Sequence, residues 1–183
     1  MATLRADTTS QDGDIEDASV VTTSGTTMTC FTSSSADNNS QRIYWFFDTS
    51  SIPDGAVIDR AFFNFYVSAR VTDVNLSYLF YQGAGNLGST LDIPDWNGLP
   101  AMTLYTSYIA APPPIGWNRH TLIPSLINKT GFTNIGAKAE AGTTVVGSFT
   151  VHTSENPSGN KGYLEVYYDT VGAGPNQYLL GGV

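Results

Sequence analysis

Charge, cysteine and long apolar runs are what this sequence has least of. Only 13% of its 183 residues are charged, about half the share of a typical soluble protein. Ser, Thr, Asn and Gly fill the polar positions instead, as is common in extracellular and virion β-proteins. The formal net charge is −8 with eight Lys and Arg residues scattered along the chain. Nucleic-acid binding is therefore disfavoured, because clustered cations are needed to displace counterions from phosphates. An anionic membrane surface is disfavoured for the same reason. Cys30 is the only cysteine, which excludes an intrachain disulfide and a thiolate metal cage. It lies in the apolar run Met28-Thr29-Cys30-Phe31 and reads as a buried thiol. No segment approaches the ~20 apolar residues of a bilayer-crossing helix. Met1-Ala2-Thr3-Leu4 has neither a basic nor an apolar leader region, so the expectation is a chain made without signal-directed export. The sequons at Asn38, Asn75 and Asn128 read as by-products of a Ser/Thr-rich composition.

Catalytic and cofactor motifs are also missing. There is no Gly-x-Ser-x-Gly elbow, no Gly-x-x-x-x-Gly-Lys phosphate loop and no His-x-x-x-His pair. His120 and His152 each lie mid-strand between polar neighbours and read as exposed or satisfied side chains. Most acids fall in turns, where Asp suits the backbone. The run Asp12-Gly13-Asp14-Ile15-Glu16-Asp17 has oxygen ligands at alternate positions. It lacks the spacing and terminal Glu of a calcium loop, so a solvated acidic turn is expected. The expectation is a non-enzymatic chain without cofactor or metal.

What is present is strand signal. Aromatics make up 12% of the chain. Gln41 to Asp48 is aromatic on both faces, as in a central strand covered from both sides. Between Ile58 and Val67, alternation places Ala61, Phe63, Phe65 and Val67 on a core face and Asn64 and Ser68 on the other. Further strands are expected at Leu76–Tyr81, Met102–Ile109, Trp117–Leu122, Asn134–Ala139, Val145–His152 and Gly162–Tyr168, with one or two more before Cys30. Helix is confined to one or two turns at Pro124–Lys129. The pattern predicts an all-β chain of eight or nine strands, a single antiparallel β-sandwich of jelly-roll or immunoglobulin-like type. Its expected divisions are a Ser/Thr-rich N-terminal segment (1–40), packing on or extending the sandwich, a sandwich core (41–169) and a C-terminal tail (170–183).

Two groups of candidate binding residues follow. Trp96, flanked by Asp95 and Asn97 in the Gly-rich loop from Gln82 to Pro100, has either a lid role over the sandwich end or a glycan-stacking role. Trp45 and Trp117 lie on strands and are expected in the core. The apolar cluster Tyr178, Leu179 and Leu180 follows a Gly/Pro spacer and is a candidate subunit contact.

Three segments together carry a family resemblance. Arg42-Ile43-Tyr44-Trp45-Phe46-Phe47-Asp48-Thr49-Ser50-Ser51-Ile52-Pro53, followed by Ala56 to Ala61, resembles the signature of DNRLRE-type domains, β-sandwiches related to carbohydrate-binding modules. Gly116-Trp117-Asn118 and Gly131-Phe132-Thr133-Asn134-Ile135-Gly136 resemble later landmarks. Gly162-Tyr163-Leu164-Glu165-Val166-Tyr167-Tyr168 is similar to the closing strand. The family signature is structural and assigns no catalytic or sugar-binding residue. Free-standing forms with a Ser/Thr-rich amino-terminal part resemble tailed-phage structural proteins. The resemblance implies a virion structural protein, a capsid decoration, head-fibre or tail-associated bacteriophage component made in the host cytoplasm. Its implied partners are other virion proteins and further copies of itself. The alternative is a carbohydrate-binding module on a surface polysaccharide.

Overall fold

The computed structural model describes residues 1–32, 40–71, 76–109, 111–141 and 147–170. Four strands open the chain: β1 (Ala2–Asp7), β2 (Gly13–Glu16), β3 (Val20–Thr22) and β4 (Thr27–Thr32). They are followed by β5 (Ser40–Asp48), β6 (Ala56–Val71), β7 (Leu76–Gly83), one helical turn α1 (Asp95–Gly98) and β8 (Thr103–Ile109). The remaining strands are β9 (Gly116–Thr121), β10 (Phe132–Ala141), β11 (Gly147–His152) and β12 (Tyr163–Thr170). The fold is all-β and antiparallel, as expected. The described residues form twelve strands rather than eight or nine. The excess lies before Cys30, where strands of three to six residues are too short to show alternation. Only a 3-10 turn forms over Pro124–Leu126, because the backbone is extended on both sides of it. Among the described residues no helix is long and apolar enough to cross a membrane.

Strand β5 separates two cores. Ile43, Trp45 and Phe47 enter the larger cluster on one face, and Tyr44 and Phe46 enter the smaller one on the other. In the larger cluster Trp45 meets Phe63 edge-on at 4.8 Å and stacks on Phe80 at 6.4 Å. Such pairs add to the burial of 150–250 Å² that each large ring brings.

Strand β6 closes the sandwich by serving three partners. Asn64 pairs with Tyr163 of β12 and Arg119 of β9, while Val67 pairs with Val151 of β11 and Gly116 of β9. Strands β12 and β11 therefore lie end to end along one edge of β6, and β9 lies along the other. Register shifts against Asp59 and Ser68 mark the bulges that bend the strand so that it can do this. One sheet is β1-β12-β6-β9, and the other runs β11-β4-β5-β10-β7-β8. Hairpin β2–β3 is added at the edge of β5. Ala61, Phe63, Phe65 and Val67 are fully buried with Leu164 and Val166, as alternation predicts.

Truncating Phe63 to Ala removes a ring that touches Trp45, Phe47 and Phe65. It should cost about 3–5 kcal/mol by denaturant unfolding. A loss below about 1 kcal/mol would contradict the assignment of this face to the core.

Candidate functional site

The side of β6 that turns away from the core carries an ordered aromatic and cationic surface. Cross-strand register sets it out in rows: Asp7, Tyr163, Asn64 and Arg119 in one, and Arg5, Glu165, Phe62 and Thr121 in the next. Tyr167 and Arg60 follow in the row below, and Tyr66 faces Trp117 at the other end. Trp117 packs edge-on against Tyr66 and Tyr163, each at 5.6 Å, and is still 50% exposed.

The cations of this face are laid on its rings. Arg5 lies over Tyr163 at 3.8 Å, Arg119 over Phe62 at 3.9 Å and Arg60 over Tyr167 at 4.6 Å. A guanidinium is weakly hydrated and planar, so it stacks on a ring and keeps its rim of donors for other contacts. Each has one carboxylate beside it: Asp7 at 3.3 Å, Glu165 at 2.9 Å and Asp59 at 3.8 Å respectively. The three side chains remain between 51% and 58% exposed. Lys161, 3.2 Å from Asp7, completes the set. Half of the chain's eight basic residues thus stand on this sheet face.

Trp117 corrects the expectation that it is core. On edge strand β9, Asn118 and His120 are the buried positions, so Trp117 and Arg119 take the outer face. Trp96 takes the lid role rather than the glycan-stacking one. It is 5% exposed in the smaller cluster, with the Arg42 guanidinium 3.8 Å from its ring. Arg42 Nη1 donates to the Trp96 carbonyl, and Tyr44 Oη donates to the Asp95 carbonyl at 3.2 Å. The lid seats on Gly136, where an added Cβ would stand 2.2 Å from Leu99 Cδ1. Tyr178, Leu179 and Leu180 lie outside the described residues.

A second constellation was not legible in the sequence. Strands β8 and β9 pair only with β7 and β6 among the described residues, so each has a free edge. His120 of β9 bridges to β8: Tyr105 Oη is 3.1 Å from Nδ1 and Tyr108 Oη is 2.8 Å from Nε2. Residues three apart on a regular strand point to opposite faces. The register shift between Tyr81–Leu104 and Phe80–Thr106 leaves Tyr105 in a bulge and resets that parity. The imidazole stands edge-on to Phe65 at 4.9 Å and Phe80 at 4.8 Å, and burial pushes its pKa down to about 4. A neutral ring donates from one nitrogen and accepts at the other, so both nitrogens are engaged by tyrosines. Of the two alternatives, exposed or satisfied, His120 is the satisfied one. His152, less buried, rests on Tyr66 at 4.9 Å with Ser158 Oγ 3.2 Å from its Nδ1.

The acidic run near the N-terminus is solvated only at Glu16 and Asp17. Asp12 is fully buried and accepts hydrogen bonds from Ser154 N and Ser154 Oγ, both at 2.9 Å. It ties the β1–β2 connection to the loop after β11. Asp14 is buried as well. No group of three or more candidate ligands that could hold a metal ion occurs among the described residues. Burial holds the Cys30 thiol far above its ordinary range.

No protein-family model matches this chain, and a search of curated proteins returned no significant match.

Buried ionisable groups set the pH response. Desolvation pushes Asp12 up to about 7 and Asp14 and Asp95 up to about 6. Folded carboxyls of this kind hold protons that the unfolded chain releases near pH 4. Their contribution is complete below that value and is lost as pH rises through about 6–7. His120 acts in the opposite sense, losing its contribution as pH falls from about 6.5 towards 4. Three carboxyls outweigh one imidazole, so thermal stability should rise as pH falls from about 8 to 5. Asp12→Asn should raise stability at pH 8 by roughly 2–3 kcal/mol and flatten the profile. A less stable Asn variant with an unchanged pH slope would show that Asp12 is ionised and held by Ser154.

Proposed function

We propose that this chain is a non-enzymatic virion structural protein, of capsid-decoration, head-fibre or tail-associated type, that attaches to other virion subunits through the aromatic–arginine face of its β1-β12-β6-β9 sheet. The observation that carries the reading is the composition of that face. Trp, Tyr and Arg are the residues that dominate binding energy at protein interfaces. Here Trp117, Tyr66, Tyr163 and Tyr167 share one sheet surface with Arg5, Arg60 and Arg119. The low charge content and the resemblance to free-standing DNRLRE-type proteins support the virion setting. The engagement of both His120 nitrogens by tyrosines supports a structural role for that ring.

A carbohydrate-binding role is the second reading, favoured by the half-exposed Trp117 ring. It is weaker because guanidinium groups already lie over Tyr163, Tyr167 and Phe62 and His152 rests on Tyr66, which leaves one ring where an extended sugar chain calls for several. Burial of Trp96 removes the loop platform.

The chain should co-sediment with density-purified virus particles of its source. Trp117→Ala should weaken rebinding to particles stripped of the protein by about 30-fold, the cost of truncating an interface hot spot of about 2 kcal/mol. Absence from particles, together with Trp117-dependent retention on an insoluble polysaccharide, would reverse the order of the two readings.

A further inference from the structure

One end of the larger core carries an open notch. Strand β6 begins there with Ala56 and Ile58, and the chain after β9 passes beside them through its 3-10 turn. Between the two lies a cavity of about 460 Å³ lined by Ala56, Ile58, Pro124, Ser125, Ile127 and Lys129. Its floor is apolar: Ala56 and Ile127 are buried members of the larger core, and Ile58 packs against it. Its rim is polar. Lys129 Nζ donates to the carbonyls of Asp54 and Ala56, which leaves one of the three ammonium hydrogens for a further acceptor. A cavity of this size, apolar with a few polar groups at its edge, suits a ligand of two or three side chains.

The chain's own continuation starts beside this cavity. Strand β12 ends at Thr170, which pairs with Ala56, and Tyr168 pairs with Ile58. Residues 171–183 lie outside the described structure and contain no Asp, Glu, Lys or Arg. Their apolar group is Tyr178-Leu179-Leu180. Residues 171–177 intervene, each reaching about 3.3–3.6 Å when extended. Thr170 is one strand spacing from Ala56, about 4.8 Å, so the intervening residues have length to spare for a reversal. Gly172, Gly174 and Pro175 are residue types suited to one.

We propose that this cavity is the seat of the chain's own C-terminal segment, the side chains of Tyr178, Leu179 and Leu180 closing the open end of the larger core. This seat is independent of the docking role of the aromatic–arginine face. The occupant follows from adjacency, composition and linkage. A segment joined through so few residues is present at an effective concentration of about a millimolar, which the same segment of a second copy matches only in concentrated solution. Neither the lining of the cavity nor the segment carries an acidic side chain, so the contact is one of apolar burial.

Truncation after Gln177 should lower the melting temperature by about 4–8 °C. It should also shift the methyl resonances of Ile58 and Ile127 and leave those of Ile15, in the smaller core, in place. A melting temperature within about 1 °C of the intact chain, with the Ile58 and Ile127 methyls unmoved, would overturn the proposal. Disulfide trapping in dilute solution then identifies whose segment is seated. Ser125→Cys with Gly181→Cys, treated with oxidised glutathione, should form a bridge within one chain, read as an unchanged mass without reductant and one cross-linked peptide pair. Cys30 is fully buried and takes no part. Ser107→Cys on β8, in the other sheet, with Gly181→Cys should not bridge. A bridge mainly between two chains would overturn the proposal in favour of exchange between copies. Equal bridging at Ser107 and Ser125 would overturn it in favour of an unseated segment. Trapping uses the full chain, so it decides the matter even where the truncated one does not fold.

Discussion

The architecture depends on one strand being buried on both faces. Along β5, successive side chains go alternately to opposite cores, Ile43, Trp45 and Phe47 to one and Tyr44 and Phe46 to the other. A strand in the usual sandwich turns one face to water. Here that second face is apolar, and leaving it open would expose two large aromatic rings at a cost of several kcal/mol. The chain covers it with the excursion that holds α1, whose Trp96 is held by Arg42 from the strand itself, and Ile15 of β2 extends the same face beside β5. The result is a sandwich with an added layer, and its two outsides differ in chemistry.

That difference links the fold to the functional reading. The sheet built on β6 has its apolar positions turned inward, and its outer positions hold rings topped by guanidinium groups. The added layer on the other side is the excursion between β7 and β8, seated through Leu87, Leu91, Trp96 and Leu99. Asp12 and Asp14 are buried in and beside β2, at the edge of β5. A stacked cation is pre-organised, with little side-chain freedom left to lose when a partner arrives. The face is therefore suited to docking a surface, while the tyrosine–histidine bridge between β8 and β9 holds together two free strand edges.

Much of the fold is legible in the residues and the site less so. The two-sided burial of β5 is visible because aromatics occupy adjacent positions there. Alternation in β6 is visible because four core residues follow each other at a period of two. Of the four N-terminal strands only one or two are expected, because they are short, rich in Thr and Asp, and held by pairing with distant strands. Trp117 looks like core because an apolar ring on a strand usually is. Its outward parity is fixed by Asn118 and His120, polar residues that can be buried because the carbonyls of Pro114 and Gly116 accept from the first and β9 packs the second against the tyrosines of β8. That packing in turn needs a bulge at Tyr105, which no local signal announces. The buried roles of Asp12 and Asp14 are hidden for a similar reason, since Ser154, the partner of Asp12, lies far along the chain.

Native-state hydrogen exchange tests the doubly covered strand most directly. Amides of β5 paired with β10, from Ile43 to Phe47, should exchange only by global unfolding and rank with the slowest in the protein. Amides on the free edges of β8 and β9 should exchange far faster. Exchange in β5 as fast as on those edges would mean that its second face is open to water. The added layer would then not hold in solution.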